Sequence, residues 1–105
     1  MEAKVYNLCL ELVNFVDSLP ETRSSWILAD QILAAGAGLG NCVFEASSVS
    51  EGAGQLCENA LGKAKKLKFW LGLLADSGKG DINKVTRMAG EVTEIIELLE
   101  ARRRN

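Results

Sequence analysis

The sequence predicts an all-helical domain, an antiparallel up-down bundle of four helices. Three observations predict it. Apolar residues recur at steps of three and four in separate stretches, the repeat of one helix face, and no stretch sustains the alternation of a strand. The chain holds a single proline, Pro20, so almost nothing interrupts a helix. The breaks between stretches are short, which sets successive helices side by side and reversed. At 105 residues the chain suits one core and a single domain spanning 1–105.

The first helix carries Val5, Leu8, Leu12, Phe15 and Leu19 on one face. It stops at "SLPET", because Pro20 pushes Leu19 out of the helical region. In "TRSSW" either Ser24 or Ser25 can cap a second helix, whose stripe is Leu28, Ile32, Ala35, Leu39, Val43 and Ala46, to about Ser47. After "SSVSEGAG", Ser50 can cap a third helix, with Glu51 in the first turn where the helix dipole favours it. Its stripe is Leu56, Ala60, Ala64, Leu67, Leu71 and Leu74, ending at "DSGKGD". Asp81 caps the fourth, with Val85, Met88, Val92, Ile95 and Leu99 on one face. Arg102, Arg103 and Arg104 end it, where positive charge suits the negative pole of the dipole.

Hydrophobic residues make up 48% of the chain and charged ones 25%, ordinary for a globular protein. A net charge of −2 exerts no global pull on nucleic acid or anionic lipid, so binding of that kind requires a local basic patch. No run approaches the ~18–20 consecutive apolar residues of a membrane span, and "MEAKVYNLCLE" has glutamates where a signal peptide has a basic start. A cytoplasmic protein with no membrane partner is expected. Cys9, Cys42 and Cys57 are odd in number and far apart, and histidine is absent. They predict neither a disulfide framework nor a zinc site, but thiols packed as small apolar groups.

"ILAAGAGLGNC" places Gly36, Gly38 and Gly40 within five positions. A dinucleotide fingerprint needs GxGxxG directly after a strand, and a P-loop needs GxxxxGK followed by Ser or Thr. Here the spacing is GxGxG, no lysine follows, and helical periodicity continues on both sides. Each glycine inside a helix costs about 0.8–1 kcal/mol relative to alanine, and close approach of another backbone offsets that cost through dispersion contacts. Gly36 and Gly40 share a face, which can meet another helix of the bundle or another copy of the chain.

The line "WILADQILAAGAGLGNCVFEAS", followed by "ALGKAKKLKFWLGLL", resembles the four-helix bundle protein family. That family includes the protein encoded in intervening sequences of bacterial 23S ribosomal RNA genes (the S23 family) and the accessory variability proteins of diversity-generating retroelements. The likeness covers nearly the whole chain. Its most specific parts are "LADQI" at Leu28 to Ile32, the glycine run at Ala35 to Gly40, Glu45 with Ala46, and "FWLGLL" at Phe69 to Leu74. Many intervening-sequence members have "KEAxET" before the aromatic pair, where this chain has Gly62 to Leu67. The basic "KKLKFWL" is instead similar to the "EKLRFLL" region of the retroelement proteins, whose glycine–tryptophan ending is missing here. The resemblance implies a ring-like homo-oligomer of five bundles around a central channel. For the retroelement branch it also implies a basic ring that binds nucleic acid and a reverse transcriptase. It implies no catalytic residue.

The residues point the same way. Without histidine, acid–base chemistry would fall to other groups with shifted pKa values. Glu91, Glu94, Glu97 and Glu100 recur every three residues as a solvated flank. Asp30 and Glu45 lack the Glu-x-x-His pairs of a di-metal bundle. No enzyme, cofactor or metal is expected. "KAKKLK" is the densest charge feature: Lys63 and Lys66 share one flank, Lys65 and Lys68 another. These lysines either lay their stems over apolar neighbours with their heads in water or contact phosphates. Repeated around a ring they would sum to a field that one chain lacks, and Arg102, Arg103 and Arg104 could add to it. Adjacent Phe69 and Trp70 cannot both face one core, and Trp26 and Trp70 suit packing at a subunit boundary. The expected role is a non-catalytic accessory protein contacting nucleic acid, a partner such as a reverse transcriptase, or both. The alternative is a purely structural homo-oligomeric scaffold that binds no nucleic acid.

Overall fold

The computed structural model describes residues 1–48 and 53–104. It contains α1 (Glu2–Val16), α2 (Arg23–Ser48), α3 (Ala53–Asp76) and α4 (Ile82–Arg104), with no strand among the described residues. The helices pack side by side into a rod of 43 × 19 × 18 Å. Cross-helix contacts show neighbouring helices running in opposite directions, as an up-down bundle requires. Cys9 of α1 faces Gly40 of α2 and Leu12 faces Gly36; Cys57 and Glu58, near the start of α3, meet Leu99 and Arg103, near the end of α4. Lys4 and Glu11 of α1 pair with Glu94 and Arg87 of α4.

One core runs the length of the rod. Every stripe residue expected on α1 and α4 is buried in it, as are Leu28, Ile32, Ala35, Leu39 and Val43 of α2. On α3 the expected Leu56 is only half-buried, and Cys57 and Leu61 take up the buried positions beside Ala60, Ala64, Leu67, Leu71 and Leu74. A helix face about 100° wide admits both neighbours of a stripe position, and here the flanking pair turns further inward.

Helix ends follow local chemistry. Asp81 caps α4, its Oδ1 accepting from the N–H groups of Asn83 (2.9 Å) and Lys84 (3.3 Å). The cap of α2 is Thr22 rather than Ser24 or Ser25. Its Oγ1 accepts from the Ser25 N–H at 3.3 Å and donates to Ser25 Oγ at 2.9 Å, so Ser25 is the third residue of the first turn, buried and satisfied. Ser50 and Glu51 lie outside the described residues. The α3–α4 turn closes as a Schellman motif: Gly78 has φ +73°, its N–H donates to Ala75 O (3.1 Å), and Lys79 N–H donates to Leu74 O (3.4 Å).

α2 is the longest helix and is strongly apolar. An 18-residue window of it has mean hydropathy 1.4, enough by length and composition to cross a membrane. In the bundle its apolar stripe faces α1 and α3 and supplies the middle of the core.

Candidate functional site

The glycines of α2 are used inside the chain. A Cβ on Gly36 would stand 2.9 Å from Leu12 Cδ1, and one on Gly40 would stand 3.6 Å from Cys9 Sγ. The Cys9 thiol donates to Gly36 O at 3.3 Å, and burial pushes its pKa up. Of the two partners left open for this face, the structure places α1 against it. Gly38 faces the other way, where a Cβ would be 2.9 Å from Lys63 Cδ. The Lys63 stem therefore lies on α2 and carries its ammonium outward.

The remaining lysines stand on the outer side of α3, opposite the core stripe. Lys65 and Lys68 line a shallow groove toward α4 with Phe69, Leu73 and Ile96, and the carboxylates of Asp76 and Glu100 border the same groove. Lys65 and Lys66 border a second cleft toward α2 with Gln31, Phe69 and Trp70. Among the described residues, none of Lys63, Lys65, Lys66 and Lys68 lies within 4.0 Å of a carboxylate. The three arginines stand in the last turn of α4. Arg103 is spent on Glu58 (3.3 Å) and Glu100 (4.0 Å), and Arg102 lines a separate apolar cleft at the bundle end with Cys42, Leu56 and Cys57. Arg104 is exposed at the same end.

The aromatic pair divides as adjacent helical positions must. Trp70 is half-buried against the core and Phe69 is 62% exposed, with ring centroids 5.1 Å apart, edge to face. The sequence named Phe69 and Trp70 as a pair that cannot share one core and singled out Trp70 as the boundary residue. The place of Phe69 directly after the lysine run was the available signal. Trp26 is 66% exposed at the start of α2 beside exposed Ile27, and lines a cleft with Pro20 and Asp30.

A second cluster of charge lies where α1 meets α4, the least extensive seam of the bundle. Lys4 Nζ sits 2.6 Å from Glu94 Oε2, and Arg87 donates to Glu11 Oε2 at 2.8 Å. The hydrogen bond to Glu94 raises the Lys4 pKa. Glu91 is part of this seam and not a free flank: burial raises its pKa, as do a hydrogen bond with Glu11 and its negative charge, against the pull of Arg87 and Lys4. The folded state therefore holds a proton that the unfolded chain has released as pH climbs above the ordinary carboxylate value of 4.5, so stability falls with rising pH in that window. Glu91→Gln is expected to flatten that fall and raise the denaturant midpoint at neutral pH. Midpoints measured from acid to neutral pH check it; an unchanged slope contradicts the coupling. Among the described residues no group of three carboxylates and thiols is placed to hold a metal ion.

The fold is similar to that of a crystal structure, at 1.70 Å, of a protein of unknown function from the S23 ribosomal protein family of Bacteroides thetaiotaomicron. The two share 23% identity over 99% of this chain and 98% of that one, with a TM-score of 0.89. Likeness at that identity carries the fold, which is thus S23-type. No protein-family model and no curated protein matches the chain.

Proposed function

We propose that this chain is a non-catalytic, cytoplasmic accessory protein that assembles with copies of itself into a ring of five and contacts nucleic acid through the lysines of α3. One observation carries the nucleic-acid reading: Lys65, Lys66 and Lys68 cluster on an outer face with Lys63 beside them, and among the described residues none of the four is in an ion pair, in a chain whose net charge is −2. Lysines without partners keep their attraction for a polyanion, and each contacted phosphate releases counterions. The likeness of "KKLKFWL" to retroelement accessory proteins supports a partner such as a reverse transcriptase. A closed ring needs two dissimilar surfaces on each copy. The exposed stripe Tyr6, Leu10 and Val13 on α1 and the patch of Trp26 and Ile27 are apolar surfaces available for it away from the lysines.

The second reading is a structural oligomer that binds no nucleic acid. The acidic balance and that same apolar stripe favour it. The separating experiment replaces Lys63, Lys65, Lys66 and Lys68 with glutamate. A companion variant leaves Lys63 in place, because its stem packs on Gly38. Wild-type protein is expected to bind labelled oligonucleotides with an affinity that falls steeply with salt. Both variants are expected to lose binding while sedimenting as the wild type does. Absent or salt-independent binding by the wild type leaves the structural reading standing, and a monomer in sedimentation removes the ring.

A further inference from the structure

We propose that Phe69 and the lysines around it form a stacking site for the bases of single-stranded nucleic acid; this rests on the nucleic-acid role proposed above and narrows it. Phe69 projects from the crest of α3, 62% exposed, with Lys65, Lys66 and Lys68, none of them in an ion pair among the described residues, within one turn of it. Trp70 meets the Phe69 ring edge to face, which occupies at most one of its faces and restrains its swing. On the α2 side of the ring lies a shallow cleft of about 440 Å³ whose other wall is Gln31. A Cβ added at Gly62 or Gly72, on either side of the ring, would meet nothing within 4 Å, so both approaches stay open.

These groups match an unpaired nucleotide. An aromatic face stacks on any base, the Gln31 amide offers both donors and an acceptor to a base edge, and the ammonium groups suit the phosphates on either side. A duplex keeps its bases stacked on one another and presents only backbone here, so the ring separates strands from duplexes. A second copy of this chain is the rival occupant. It would have to seat separate carboxylates against three unpaired lysines, whereas a nucleic-acid backbone carries a charge at every nucleotide, and charge complementarity favours the polyanion.

The test compares Phe69→Ala, Phe69→Tyr and wild type for binding to an oligothymidylate and an oligouridylate of about 12 nucleotides and to a duplex of that length. Sedimentation of each variant is measured alongside. Wild type is expected to prefer both single strands. Phe69→Ala is expected to weaken single-strand binding about 5- to 150-fold, from the stacking of one base, while duplex binding and assembly stay unchanged and Phe69→Tyr retains wild-type affinity. Equal binding of strand and duplex, unaffected by Phe69→Ala, overturns the stacking site and leaves the nucleic-acid role intact. Binding of neither overturns both. Disassembly of Phe69→Ala assigns the ring to an interface between copies and overturns the stacking site.

Discussion

Leu39→Ala is expected to remove about 2–5 kcal/mol of folding stability. Leu39 is 0% exposed in the middle of α2, the helix that packs on both α1 and α3. Truncation there forfeits the transfer energy of the lost methyl groups and leaves a hole that rigid neighbouring helices cannot collapse into. Single domains are stable by only about 5–15 kcal/mol, so this one change takes a substantial fraction, and thermal unfolding should drop by about 10 °C or more. Leu98→Ala is the control: Leu98 is 44% exposed, and its truncation should cost less than about 1 kcal/mol. Denaturant titration of both variants decides the matter, and equal losses would mean that the core is not centred on α2.

Gly80→Ala is expected to cost about 2–5 kcal/mol, from two sources that can be separated. Gly80 has φ +78°, a conformation that costs an L-residue about 1–2 kcal/mol. A Cβ there would also stand 2.8 Å from Phe15 Cζ and 2.9 Å from Leu19 Cδ2. Both side chains are buried, and displacing packed groups costs a further 1–3 kcal/mol or so. Gly78 isolates the first source, having φ +73° with nothing within 4 Å of a Cβ. Gly78→Ala should therefore cost only about 1–2 kcal/mol. If the two substitutions cost the same, the α3–α4 turn does not rest on the end of α1.

Much of the fold was legible because burial on a helix is periodic. Val85, Met88, Val92, Ile95 and Leu99 share a face by spacing alone, and all are buried. What spacing cannot specify is the occupant opposite. Gly36 and Gly40 announced a close approach, yet only the packed chain shows Leu12 and Cys9 of α1 filling it. Thr22, Ser24 and Ser25 carry interchangeable capping chemistry, and the path of the chain after Pro20 selects Thr22. The site was half legible. "KAKKLK" marked its cations, but the sequence could not show Arg103 committed to Glu58, 45 residues away. Nor could it say which of Phe69 and Trp70 turns outward, since neighbours 100° apart straddle the boundary of the core.

The order of packing along the chain bears on how it folds. α1 and α2, α2 and α3, and α3 and α4 each follow one another within a few residues of sequence, so every extensive seam forms between partners already tethered to each other. Only the contact of α1 with α4 closes a long loop, and it is sparse and carried by exposed ion pairs. Little of the chain's stabilisation thus waits on a distant encounter. Topology of that kind has low contact order, and assembly by successive hairpins in microseconds to milliseconds is the kinetic regime it sets.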